Sequence, residues 1–96
     1  MLDDVFEPKR EPARSIYNAF QAEATKRKGR SIDEWITAER EAVFREAVSQ
    51  ARKLNLRPPS MSEIERAERS AVGSIDYGAQ WAYAIVASMQ KIVSAN

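Results

Sequence analysis

The sequence predicts an all-α fold, and three observations predict it. Alanine, the strongest helix former, fills 15 of the 96 positions. Apolar residues recur every three or four positions through most of the chain, and no stretch alternates with the period of two that a strand requires. Ser31, Ser60 and Ser62 each stand three residues before a glutamate at the head of such a run, the spacing of a capping box. Together these predict a small bundle of three long helices, the third kinked or broken at Gly73-Ser74, assembled as a dimer. Residues 1–11 read as a flexible N-terminal arm with Val5 and Phe6 as its only anchors, and residues 12–96 as a single helical domain.

The first helix is expected from Pro12 to Lys28. Proline suits a first helical turn, where its missing N–H is not needed. Ala13, Ile16, Tyr17, Phe20 and Ala24 make one apolar stripe, and Lys26, Arg27 and Lys28 fall in the last turn, where positive charge suits the helix dipole. Gly29 is a natural stop. The second helix starts at the Ser31 to Glu34 capping box and runs to about Leu54. Ile32, Ile36, Val43, Ala47 and Leu54 share a face widened by Phe44, Val48 and Ala51. Trp35 lies off that face, either at a corner of the core or exposed. Glu39, Arg40, Glu41, Arg45 and Glu46 read as a solvated outer face of mixed sign. Pro58-Pro59 forbids helix continuation, and the third helix starts just beyond it.

A third helix continuous from Ser62 to Val93 would be about 48 Å long and would overhang a compact domain of this size. Either Gly73 ends one helix and Ser74 caps the next, with Asp76 in its first turn, or another subunit covers the overhang. Ala67, Ala71, Ser74, Gly78 and Ala82 form a strip of small side chains that admits a close helix, from the same chain or from a second copy. From Tyr77 to Asn96 the only charged residue is Lys91, so this stretch is apolar on most sides. Two short helices would not cover it, which makes Ala71, Ser74, Tyr77, Gly78, Trp81, Ala82, Ile85 and Met89 the candidates for a self-association surface.

The chemistry available is narrow. The chain has no histidine and no cysteine, which removes the commonest general base and the usual zinc ligands. It has three glycines and no phosphate-binding glycine loop. The expectation is a protein that is not an enzyme and takes no cofactor. A net charge of +1 lacks the basic excess of a dedicated duplex-DNA binder. No apolar run reaches the length of a membrane span, and the N-terminal residues do not read as a signal peptide, so a cytoplasmic protein without membrane contact is expected. Lys26, Arg27, Lys28 and Arg30, with Trp35 nearby, are the candidates for contact with a partner protein or, as the alternative, with nucleic acid. A nucleotide-binding sponge using Arg and aromatic side chains between subunits is a further alternative.

Pro58-Pro59-Ser60, the run Glu63-Ile64-Glu65-Arg66-Ala67-Glu68, and Asp76-Tyr77 followed by Trp81-Ala82-Tyr83 resemble small accessory proteins of phages and prophages of Gram-negative bacteria. The likeness covers the C-terminal half. It implies a protein that binds a protein of the bacterial host and blocks it, as anti-CRISPR and other anti-defence proteins do. It transfers no functional residue to a position of this chain.

Overall fold

Among the described residues there are four helices, the expected third being broken in two at Gly73: α1 Ala13–Ala24, α2 Ile32–Leu54, α3 Met61–Ala71 and α4 Tyr77–Ser88. The structure, a computed structural model, describes residues 7–89, and no β-strand occurs among them. The expected anchors Val5 and Phe6 lie outside the described residues, as does the expected third helix beyond Met89. Of the expected arm, the described part is held to the bundle. Pro8 is buried, and the Glu11 carboxylate accepts from the Ser15 N–H at 3.0 Å and from the Ser15 hydroxyl at 2.8 Å. Glu11 thereby serves two polar groups in the first turn of α1.

α1 ends at Ala24, the last residue of its apolar stripe and about a turn before the expected Lys28. The Thr25 hydroxyl donates back to the Ala22 carbonyl at 2.8 Å, and the Lys26 N–H closes a tight turn on the Glu23 carbonyl at 2.9 Å. Lys26, Arg27 and Lys28 are therefore not dipole partners in the last turn of α1; they lie in the connection to α2. Gly29 completes that connection with φ +84°. At Ser31 and at Ser60 the full capping box forms, the serine oxygen accepting from the N–H of the glutamate three residues on. Ser62 falls inside α3. α2 stops on Asn55 in the left-handed region, φ 56°, where the Leu56 N–H reaches the Ala51 carbonyl at 2.8 Å.

The break at Gly73 is complete. Val72 leaves the helical region, and Gly73 takes φ +92°. Ser74 does not cap the next helix: its N–H closes the turn on Ala71, and α4 starts after Asp76, whose carboxylate accepts from the Gln80 side chain. α4 then folds back along α3. Their antiparallel course is pinned at three levels, by Tyr77 to Glu68, by Trp81 Nε1 to the Ile64 carbonyl at 3.0 Å, and by Arg57 to the Ser88 carbonyl at 2.6 Å.

The core joins Ile16 and Phe20 of α1, Val43, Ala47 and Ala51 of α2, Ile64, Ala67 and Ala71 of α3, and Trp81, Ala82 and Ile85 of α4. α4 is covered by α3 on one side and by α1 on another. Its apolar stretch is thus largely hidden within the chain, and the residues nominated for self-association are corrected accordingly. Ala71, Gly78, Trp81, Ala82, Ile85 and Met89 are buried, and Tyr77 and Ser74 are half-buried. Of the strip of small residues, Gly78 on α4 receives α1. A Cβ added at Gly78 would stand 2.6 Å from Phe20 Cε2 and 2.7 Å from its Cδ2. α2 is the outlier in length: 23 residues, about 34 Å, against 12 residues, about 18 Å, for α1. Its middle is buried, while Ile32 and Leu54 at its two ends overhang into solvent.

Gly78→Ala tests the close approach. Alanine gains about 1 kcal/mol of helix propensity over glycine, but overpacking a buried ring costs about 1–3 kcal/mol. The Phe20 ring is wedged edge-on against Tyr77 and Trp81 at 5.8 and 5.6 Å. Overpacking should win, so urea denaturation should show a net loss near 1 kcal/mol; a gain in stability would show that the ring can move aside.

Candidate interaction surface

Two groups of polar residues stand out, one inside and one outside. The inner group sits where the end of α1, the first third of α2 and the α3–α4 turn meet. Arg27 grips Glu39 with two bonds, Nε to Oε2 at 2.6 Å and Nη2 to Oε1 at 3.0 Å. Its guanidinium lies 3.8 Å over the Trp35 ring. Arg40 reaches Glu68 at 2.6 Å, and the other Glu68 oxygen accepts from the Tyr77 hydroxyl at 2.9 Å. Glu39, expected on a solvated face, is therefore an interior residue, 2% exposed. Helical spacing alone did not reveal this, because its partner Arg27 lies beyond a turn.

No buried side-chain nitrogen or oxygen among the described residues lacks a hydrogen-bond partner. Burial first, and then the bond to Glu68, push the Tyr77 hydroxyl well above its ordinary value of 10.0. The arrangement ties the α1–α2 connection to α2, and α2 to α3 and α4, at one end of the fold. No group of three or more acidic, His or Cys residues that could hold a metal ion occurs among the described residues.

The basic cluster nominated for partner or nucleic-acid contact is largely drawn into the same end of the fold. Arg27 is held by Glu39, Arg30 by Glu23 at 3.2 Å and Lys26 by Glu23 at 3.5 Å. Arg30 and then Lys26 hold the Glu23 carboxyl below its ordinary value. Lys28 alone of the four is exposed without an ion pair. Trp35 is half-buried beneath Arg27, so the Arg and aromatic side chains that a nucleotide would need are stacked on one another.

The outer group runs from the edge of the buried face of α2, where Phe44 packs partly against the core, round to the side away from Val43 and Ala47. Phe44, Val48 and Arg52 form one row at four-residue spacing, and Arg45, Ser49 and Lys53 form the next. Between them they line a groove of about 520 Å³. Phe44 and Val48 are partly exposed, and Arg45, Arg52 and Lys53 are exposed. None of these three cations makes an ion pair among the described residues. By contrast, Arg27, Arg30, Arg40 and Arg57 all find carboxylates. Nearer the start of α2, the same side carries Asp33, Glu34, Thr37, Ala38 and Glu41 around a second open depression. Sequence reasoning noted the mixed charge from Glu39 to Glu46; what it lacked was that the charge along α2 divides into an acidic half and a basic half on one exposed side.

Comparison with protein-family models, curated proteins and solved structures finds no match to this chain. Among the described residues no helix is long and apolar enough to cross a membrane.

Two measurements test the inner network. Arg27→Met strands a buried carboxylate, whereas Glu39→Gln frees a guanidinium that is 38% exposed and can reach water. The first should cost about 3 kcal/mol and the second about 1 kcal/mol by urea denaturation; the reverse order would contradict the assignment of Glu39 as the dependent partner. Because the folded Tyr77 holds its proton to higher pH than the unfolded one, its contribution is whole below pH 10 and is lost as pH rises further. Tyr77→Phe should therefore flatten the stability profile above pH 10, measured by denaturation at a series of alkaline pH values.

Proposed function

We propose that the protein is a non-enzymatic protein–protein interaction module whose contact surface is the outer face of α2. The observation that carries this reading is the contrast between the two polar groups. The buried polar atoms of the interior group all have partners, while the longest helix presents cations without ion pairs among the described residues, beside partly exposed Phe44 and Val48. Apolar side chains rimmed by unsatisfied charge favour a protein surface over a small ligand, since the groove is open along its length. The resemblance of the C-terminal half to phage and prophage accessory proteins supports a narrower form of the reading, an inhibitor of a bacterial host protein such as a defence component, acting in the host cytoplasm. Contact with nucleic acid through Lys26 to Arg30 draws less support, because three of those four side chains are engaged with carboxylates.

A photo-crosslinking amino acid placed at Ser49, in the middle of the groove, tests the surface against a control at Arg66, exposed on α3. Irradiation in bacterial cells expressing each form should give a discrete protein adduct from position 49 and none from position 66. Arg45→Glu with Lys53→Glu should abolish the adduct while leaving thermal unfolding within a few degrees of the parent, because neither side chain has a partner in the fold. A folded Ser49 form that gives no adduct would exclude this face as the contact surface.

A further inference from the structure

The structure assigns the outer face of α2 a specific partner: the same face of a second copy of this chain, laid antiparallel across a two-fold axis at the level of Val43. This rests on the reading of that face as a contact surface, and it names the occupant. Glu34, Ala38, Glu41, Arg45, Val48 and Arg52 are spaced alternately four and three residues apart, so they run as one stripe along α2. The stripe lies on the side away from the buried Val43, Ala47 and Ala51. Its charge is split, acidic before Val43 and basic after it.

In an antiparallel pair, residues equally far from the axis on opposite sides face one another. Glu41 then faces Arg45 of the second copy, Glu34 faces Arg52, and Ala38 lies level with Val48. Both charged pairs are of opposite sign and occur twice by symmetry, as an isologous interface requires. The parallel alternative sets like charge against like along the whole length. The small side chains Ala38, Thr37 and Ser49 let the two helix axes approach to the usual 8–10 Å. Arg45, Arg52 and Lys53 lack carboxylate partners within the chain, and Asp33 and Glu41 lack cationic ones, among the described residues. Glu34 is exposed and uses one carboxylate oxygen in the capping box at Ser31. A nucleic acid fits this face poorly, because the acidic half would repel phosphate.

This is a different surface from the apolar C-terminal helix, and it predicts a different association. Held mainly by exposed ion pairs, with only Ala38 and Val48 apolar along the seam, the dimer should be sensitive to salt. Sedimentation velocity on the full chain at about 100 µM should show a dimer in about 20 mM salt, with dissociation at least about tenfold stronger in about 500 mM salt. Two variants supply the decisive comparison. Arg45→Glu and Glu41→Lys each place like charges opposite one another in a homodimer. Each should be monomeric alone. Mixed in equal amounts they restore both contacts as pairs of opposite sign, and the mixture should sediment as a dimer. Both positions are exposed, and recovery on mixing itself shows that both variants are folded. A wild type that stays monomeric at low salt overturns the inference, as does a dimer that persists in either variant. A monomer whose Ser49 crosslinks to a different protein overturns it too, while leaving the interaction-module reading intact.

Discussion

The bundle depends on a carboxylate that has no water. Glu39 sits on the second turn of α2, close enough to the α1 end of the fold that its charge would be untenable without Arg27. To meet it, the chain must leave α1 after Ala24 and turn through Gly29, so that Arg27 comes back over α2. That demand accounts for the early end of α1. It also brings the Arg27 guanidinium over Trp35 and within 5.9 Å of the Phe20 ring. Phe20 in turn fixes where α4 passes, because only Gly78 lets the α4 backbone lie against its ring.

A second carboxylate does the same for the other helical hairpin. Glu68, near the end of α3, is shared between Arg40 of α2 and Tyr77 at the start of α4. Glu39 and Glu68 therefore bind each hairpin to α2 at adjacent residues, 39 and 40. At the far end, Arg57 reaches both Glu63 and the Ser88 carbonyl, closing the α3–α4 pair. The interior between these ties is rich in alanine, which contributes little burial but allows close helix contact. In such a bundle the polar ties set the register of helices that the small apolar side chains alone would leave free to slide.

Much of the fold was legible in the sequence because its signals are local. The capping boxes at Ser31 and Ser60, the Pro58-Pro59 break and the stop at Gly73 each depend on a few neighbouring residues, and each helix start or break falls where those residues stand. The number of helices depended on how fully Gly73 breaks the chain, which Val72 and the Ser74 turn decide. The site was less legible, because its signals are long-range. Lys26 to Arg30 is a dense basic cluster in sequence, yet Glu39 and Glu23 draw it inward in space. Tyr77 to Met89 is an apolar run whose cover comes from two helices, one of them sixty residues away in sequence. Periodicity shows which residues share a face; it does not show which faces meet.

The length mismatch between α2 and its neighbour has a consequence for how such a protein can change over generations. Folding draws on the side of α2 that bears Val43, Ala47 and Ala51, together with Glu39 and Arg40. On the opposite side Arg45, Arg52 and Lys53 are exposed and make no ion pair among the described residues. Substitutions at these positions escape the constraint that packing places on the rest of the chain. The outer side of α2 can therefore vary while the scaffold beneath it stays the same.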